Sequence, residues 1–438
     1  MRTVNVSEVI DRHGLTIFQI VVASLCFLIV AIDGFDTASI GFLAPAIRQE
    51  WGLSVPEMAP LFGAGLLGLM AGAFVFGPVS DRFGRKISLI TCVLFFGVAS
   101  LVAAQAPSLM PLVLLRFLTG VGIGGAMPNA ITLTSEYCPE RHRLFLVTGM
   151  FCGFTIGSAL GGIASAHMVG AFGWRSVLLL GGILPISLVP FLIRFLPESA
   201  RFLVLRERAA ARVANILRRI NANEDYTNAR FVVSEGTAHG LPVGYLFKPE
   251  LVVGTLLLWL AFFCSLLVIY LLSSWLPTLI KSTGTTLATA SLITAMFQVG
   301  GTLGAIALGW LMDRFNPQYV LAACYATAAI FIAAIGSLTT SILALAAVVL
   351  LAGFCISGSQ VGANALAASF YPTDCRATGV SWANGVGRIG SVVGSMSGGA
   401  LIAMKLPMSA MFVVVGFPAL IGGAIMMIFG KYRAMRGR

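Results

Sequence analysis

Four charged residues stand inside apolar stretches where charge is expensive: Asp33, Asp36, Arg116 and Arg388. Asp33-Gly34-Phe35-Asp36 interrupts a run that is apolar from Phe18 to Ile32 and again from Thr37 to Ile47. An ionisable side chain at the centre of a spanning helix costs about 2.5–3.5 kcal/mol on insertion scales, so it faces an interior cavity rather than lipid. Aspartates three apart fall on one helix face, and like charges that close cannot both ionise cheaply. At least one of the pair is expected to hold a proton near neutral pH, as a proton-coupled transporter requires. A guanidinium suits the complementary task, because its planar fork holds a carboxylate through two parallel hydrogen bonds. At 1.5 Å per residue, Arg116 lies roughly 10 Å and Asp36 roughly 15 Å from the outer ends of their runs, with Arg388 near its midplane. The set assigns Asp33 and Asp36 to the proton and Arg388 or Arg116 to a substrate carboxylate. The alternative for the charged residues is an ion pair that only holds helices together.

Polar neighbours complete a pocket around these charges. Gln298, in mid-run, Asn384, one turn before Arg388, and Tyr270 are placed to bond hydroxyls on a ligand ring. Asn129 and Asn364 lie nearer the inner ends of their runs and are read as interhelical hydrogen bonds, worth about 0.6 kcal/mol each.

The elements that must position these residues are membrane helices. The 438 residues are 58% hydrophobic and only 10% charged, against about 25% charged in soluble domains; the mean hydropathy is +0.94. Apolar runs predict spans near 17–44, 58–79, 87–106, 109–135, 145–168, 175–196, 251–275, 288–311, 318–337, 341–369, 379–403 and 408–430. The first run is too long for a signal-peptide core and is expected to be retained as a span. The net charge of +11 is a topology signal rather than a nucleic-acid one. Of 28 Lys and Arg, 22 fall on the side of the two termini and four (Arg48, Arg175, Lys281 and Lys405) on the other, which leaves Arg116 and Arg388 within the membrane. Such asymmetry predicts cytoplasmic termini. The eight cysteines are scattered singly and four histidines lie at unrelated positions, so no disulfide framework or zinc site is expected.

The polar stretch 197–250 divides the chain into six spans (1–196) and six (251–438). Residues 200–220 mix Phe202, Leu203, Leu205, Val213, Ile216 and Leu217 with arginines, as amphipathic surface helices do. Such helices would lie on lipid or strap the halves together. Residues 221–244 read as loop. The halves echo each other: Gly77 to Arg85 ends the second span as Gly309 to Pro317 ends the eighth, and Tyr137 follows Asp81 by 56 residues as Tyr371 follows Asp313 by 58. Gly120-Val-Gly122-Ile-Gly124-Gly125 imitates a dinucleotide fingerprint but lies in an apolar span with no preceding strand. With Gly153, Gly157, Gly161 and Gly162 it reads as close helix packing. No Walker motif is present, so ATP is not the expected energy source.

Gly77 to Lys86 follows the pattern Gly-x-x-x-Asp-Arg-x-Gly-Arg-Lys without departure and resembles the loop signature of the major facilitator superfamily. Within it, residues 33–38, 116–129, 197–203, 270–278, 376–382 and 385–388 resemble the aromatic acid:proton symporter family over the whole chain. Ser158 stands where the superfamily's exporter motif has proline, and Asn384 stands where a more apolar residue is the family's pattern. The resemblance implies an all-α fold of twelve transmembrane helices in two six-helix bundles related by a pseudo-two-fold axis. It implies proton-coupled uptake of an aromatic carboxylate, such as a hydroxybenzoate, through the cell (inner) membrane by a monomer. No enzyme activity and no cofactor beyond the proton gradient are expected. It also implies that Asp81, Arg82 and Arg85 form a cytoplasmic gate, with Asp313, Arg314, Glu136 and Arg376 as the matching half. The competing readings are a carrier or exporter of another organic anion, and a non-transporting membrane receptor for aromatic acids.

Overall fold

The computed structural model describes the chain apart from residues 1–2, 13, 206–209, 222–223, 225, 227–228, 234–242, 339–340, 373–374 and 437–438, and apart from the side chains of 143–145, 377 and 436. Twelve described helices are long and apolar enough to cross a membrane. The first six are α2 (Ile17–Trp51), α3 (Ala59–Phe83), α4 (Arg85–Ala103), α5 (Leu109–Tyr137), α6 (Glu140–Phe172) and α7 (Arg175–Phe195). The second six are α10 (Val252–Ser282), α11 (Leu287–Arg314), α12 (Pro317–Ile335), α13 (Ile342–Phe370), α14 (Arg376–Ala403) and α15 (Met408–Arg436). The protein is therefore a multi-pass membrane protein, and an even number of spans puts both termini on one face, called here the terminal face.

Apolar composition marks the lipid-embedded part of each helix, whereas the helix itself ends where its backbone is capped. The first span, expected to stop at residue 44, continues through Pro45 to Trp51 and ends at Gly52, whose φ of 64° only glycine adopts freely. Its start is set by a capping box, with Thr16 Oγ1 accepting from Gln19 N and the Gln19 side chain accepting from Thr16 N.

Helix pairs of the first half recur in the second. The contacts of α2 with α6, α3 with α5 and α4 with α7 reappear as α10 with α14, α11 with α13 and α12 with α15. Glycines make the tightest of these approaches possible. A Cβ on Gly72 would strike the Val121 carbonyl and one on Gly124 the Leu69 carbonyl; one on Gly304 would strike the Phe354 carbonyl and one on Gly353 that of Phe297. The glycine run at 120–125 is thus helix packing, as its apolar setting predicts.

The connecting segment is more structured than its sequence suggests. Helices α8 (Ala200–Leu205) and α9 (Ala210–Ile220) bury Leu203, Val213, Ile216 and Leu217 in the core of the first half. Their buried face is thus turned into the first half. A short N-terminal helix, α1 (Val6–Arg12), packs on α9, and strand β1 (Thr3–Asn5) pairs in parallel with β2 (Arg230–Val232), inside the stretch expected to be loop. Three-residue strands carry too little periodic signal to be read from sequence.

Candidate functional site

Asp33 and Asp36 are both buried, at 1% exposure, yet they face different surroundings. The i,i+3 spacing turns Asp36 toward α4 and α5, where Arg116 Nη1 donates to Oδ2 at 2.9 Å and Ser100 Oγ donates to Oδ1 at 3.0 Å. Arg116 Nη2 also donates to the Asp36 carbonyl, at 3.2 Å. Asp33 accepts one bond, from Thr37 Oγ1 at 3.0 Å, while its Oδ2 is buried without a partner. No cation lies within 4.0 Å of it in the described ion pairs.

This pairing decides between the two arginines. Arg116 is only 3% exposed, both of its terminal nitrogens are committed to Asp36, and it does not line the central cavity. Its expected share in holding a substrate carboxylate is corrected to the alternative reading, an ion pair that joins helices. Removing one partner of a buried pair leaves the other charge uncompensated, at about 3–5 kcal/mol. Asp36→Asn is accordingly expected to lower the yield of folded protein, and adding Arg116→Met to restore much of it. Size-exclusion recovery from detergent extracts reads both; equal recovery of the single and double variants would contradict the pairing.

A central cavity of about 130 Å³ lies between the halves. Arg388, Tyr270, Asn384 and Gln298 all line it, as do Phe151 and Phe154 from α6 and Thr37 from α2. The Tyr270 hydroxyl accepts from Arg388 Nη1 at 3.1 Å, which orients the guanidinium. Among the described residues no carboxylate pairs with Arg388. Asn384 Nδ2 donates to Asn364 Oδ1 at 2.8 Å, and Gln298 Nε2 donates to Ser273 Oγ at 3.2 Å. Asn364 is thus both an interhelical bond and part of the cavity wall, whereas Asn129 bonds back to Gly125 O of its own helix, at 2.8 Å. Ser158, recognised in the sequence only as a missing proline, also lines the cavity; its Oγ donates to Gly34 O, between the two aspartates, at 2.9 Å.

The cavity is sealed away from the terminal face. There Gly63 of α3 meets Met396 of α14, the Phe62 and Trp275 rings pack edge to face with centroids 4.9 Å apart, and Lys281 Nζ donates to Gln49 Oε1 at 3.1 Å. Five turns, or eighteen residues, carry the Gly63 stripe along α3 to Asp81 and the Met396 stripe along α14 to Thr378. Between those points Phe74 of α3 is 79% exposed and Ile389 of α14 48%. The contacts at Gly63, Phe62 and Lys281 close the cavity on the far face.

The loop motif Gly77 to Lys86 ends α3 and begins α4. Asp81 pairs with Arg85 Nη2 at 2.8 Å, within its own half, and Arg85 Nη1 donates to Ser80 O at 3.1 Å. Gly84, with φ of 100°, makes the turn into α4, whose first amides from Arg85 and Lys86 donate to Glu198 Oε1 at 2.7 and 3.1 Å. Arg82 is exposed and lies over the Phe83 ring. In the second half Asn316 caps α12 with its own side chain ahead of Pro317, so no distant carboxylate is needed there. Asp313 and Arg314 are exposed, with Arg314 stacked 4.0 Å from the Trp310 ring centroid, and Arg376 is exposed at the start of α14. Glu136, grouped with these from sequence, lines a cleft of the first half with Ser7, Asp11 and Arg201, and Arg85 of the loop motif is among the charges near it.

Family comparison agrees with this geometry. The family model described as Major Facilitator Superfamily matches residues 26–284 and 258–437. The chain belongs to that superfamily. A gallate transporter of Pseudomonas putida is 44% identical over 431 residues, covering 98% of this chain and 96% of that protein. A 4-hydroxybenzoate transporter, PcaK, of Pseudomonas aeruginosa is 45% identical over 428 residues, covering 97% and 96%. Among solved structures, the inward open xylose transporter XylE from E. coli superposes with a TM-score of 0.72 at 19% identity, covering 94% of this chain and 96% of that one, and shows the shared fold. As a major facilitator, this protein is a transporter and not an enzyme, and the resemblance carried by its motifs is borne out.

Proposed function

We propose that this transporter imports an aromatic carboxylate, such as a hydroxybenzoate, together with protons, by alternating access with its terminal face in the cytoplasm of the cell membrane. The observation that carries the reading is Arg388: a guanidinium on a cavity wall, oriented by Tyr270 and paired with no described carboxylate. A cation so placed has room for a directly bonded carboxylate from an anionic ligand, and Phe151 and Phe154 give a ring its stacking surface. The relatives' names, gallate and 4-hydroxybenzoate transporter, support an aromatic acid as that anion.

Coupling follows from charge. Asp33 reaches the cavity through Thr37, which lines the wall that Arg388 shares. A carboxylate on Arg388 cancels the field that otherwise favours an ionised Asp33, so anion and proton bind more easily together than apart. Loaded with both, or with neither, the site carries a smaller uncompensated charge through the change of access. Uptake of labelled 4-hydroxybenzoate into proteoliposomes tests this: accumulation should require an inward proton gradient and collapse with a protonophore. Accumulation driven equally well without a gradient would overturn the proton part, and no uptake of any aromatic acid would overturn the substrate part.

The loop motif acts as the gate of this cycle. Closure of the terminal face brings Asp81 toward the N-terminus of α14, where a helix dipole stabilises a carboxylate by about 0.3–1 kcal/mol. Asp81→Asn is expected to shift the balance of the two states around fivefold, slowing transport with little change in equilibrium binding. Thiol labelling of cysteines placed at both ends of α14 reads the balance; unchanged labelling with a large loss of affinity would contradict the gate.

A further inference from the structure

Most polar side chains on the cavity wall are engaged: Asn384 with Asn364, Gln298 with Ser273, Tyr270 with Arg388, Ser158 with Gly34. Gln360 of α13 differs. It lines the cavity at 8% exposure, and neither its amide nitrogen nor its amide oxygen has a hydrogen-bond partner. An amide buried in that condition forfeits its hydration without replacement, a cost that a ligand hydroxyl can remove by accepting from the nitrogen or donating to the oxygen. Ser357, Gln360, Val361 and Asn364 follow the i, i+3, i+4, i+7 spacing of one helix face, and all four line the cavity.

The depth of Gln360 matches that of Arg388. The Asn384–Asn364 bond ties α14 to α13 at one level. Because α13 runs toward the terminal face and α14 away from it, Gln360, four residues before Asn364, and Arg388, four after Asn384, both lie about 6 Å further from that face. The two helices are in direct contact, and packed helices sit about 8–10 Å apart. A single benzene ring with its carboxylate on Arg388 therefore reaches toward Gln360 with its other edge.

We infer that Gln360 is the ring-hydroxyl selector of this transporter, satisfied by hydroxylated aromatic acids and left unpaired by plain benzoate. The inference rests on the proposed carboxylate site at Arg388. A site built to hydrogen-bond a hydroxyl rejects the analogue that lacks it far more strongly than an apolar pocket rejects an added group.

The test is displacement of labelled 4-hydroxybenzoate from the purified full-length protein by 4-hydroxybenzoate, 3-hydroxybenzoate and benzoate. Wild type should favour at least one hydroxybenzoate over benzoate by about tenfold or more. Gln360→Met keeps length without donor or acceptor; it should bring that ratio close to one, mainly by losing hydroxybenzoate affinity while benzoate binds as before. Gln360→Asn, which keeps the amide on a shorter arm, should retain part of the preference and serves if the Met variant does not fold. An equal ratio in wild type and variants, or no preference in wild type, overturns the selector. If all three acids bind equally and Arg388→Lys weakens all three, the selector fails and the carboxylate site stands. If none displaces the label, both fail.

Discussion

Asp33→Asn should abolish gradient-driven accumulation of an aromatic acid while leaving substrate binding and exchange largely intact. The substitution keeps the size of the side chain and its acceptor for Thr37 Oγ1, the only hydrogen bond that the described structure gives this carboxylate. What it removes is the ability to alternate between charged and neutral forms, which is the whole of the proposed coupling. Because Asp33 pairs with no described cation, the change strands no counter-charge, and the protein should fold. Counterflow of labelled against unlabelled substrate needs no net proton movement and should survive. Wild-type accumulation ratios in Asp33→Asn proteoliposomes would take the proton away from Asp33. Loss of counterflow and accumulation together, with folded protein in hand, would mean that the residue serves the conformational cycle itself.

Arg388→Lys is expected to weaken hydroxybenzoate binding by about tenfold to a hundredfold. The charge is retained, so the loss measures geometry: a lysine ammonium cannot present two parallel donors to a carboxylate, and the Tyr270 hydroxyl that now orients the guanidinium has no equivalent hold on it. Hydrogen bonds to charged groups are worth about 1.5–3 kcal/mol, and each 1.4 kcal/mol is a factor of ten. The corresponding benzyl alcohol should fail to compete in wild type, having no charge to offer. Equal competition by acid and alcohol, or an unchanged affinity in the lysine variant, would remove the clamp.

Much of this arrangement was legible in the sequence, for reasons of energy. A charge within an apolar run is costly enough to be rare, so Asp33, Asp36, Arg116 and Arg388 marked the interior without any structure. The span count followed from hydropathy, and the repeat from two loop motifs in register. The choice of partner was not legible. Arg116 and Arg388 carry the same chemistry, and which one meets Asp36 depends on how α2 and α5 are rotated about their axes, a quantity that spacing within one helix does not contain. Similarly, Asp33 and Asp36, three residues apart, are offset by about 60° around the helix, and that rotation gives one an arginine and the other only a threonine. Gln360 was missed because a lone amide in an apolar span looks like any interhelical bond until its neighbours are known to be absent.

The central claim is that one aromatic carboxylate and protons cross together, and it is tested most directly by proton movement that the substrate itself drives. Proteoliposomes loaded with a pH-sensitive dye, with no imposed gradient and the membrane potential clamped, would receive 4-hydroxybenzoate outside. The account predicts prompt acidification inside, saturating with substrate, absent with the benzyl alcohol analogue and absent in Asp33→Asn. Entry of labelled 4-hydroxybenzoate with no change in internal pH would contradict it.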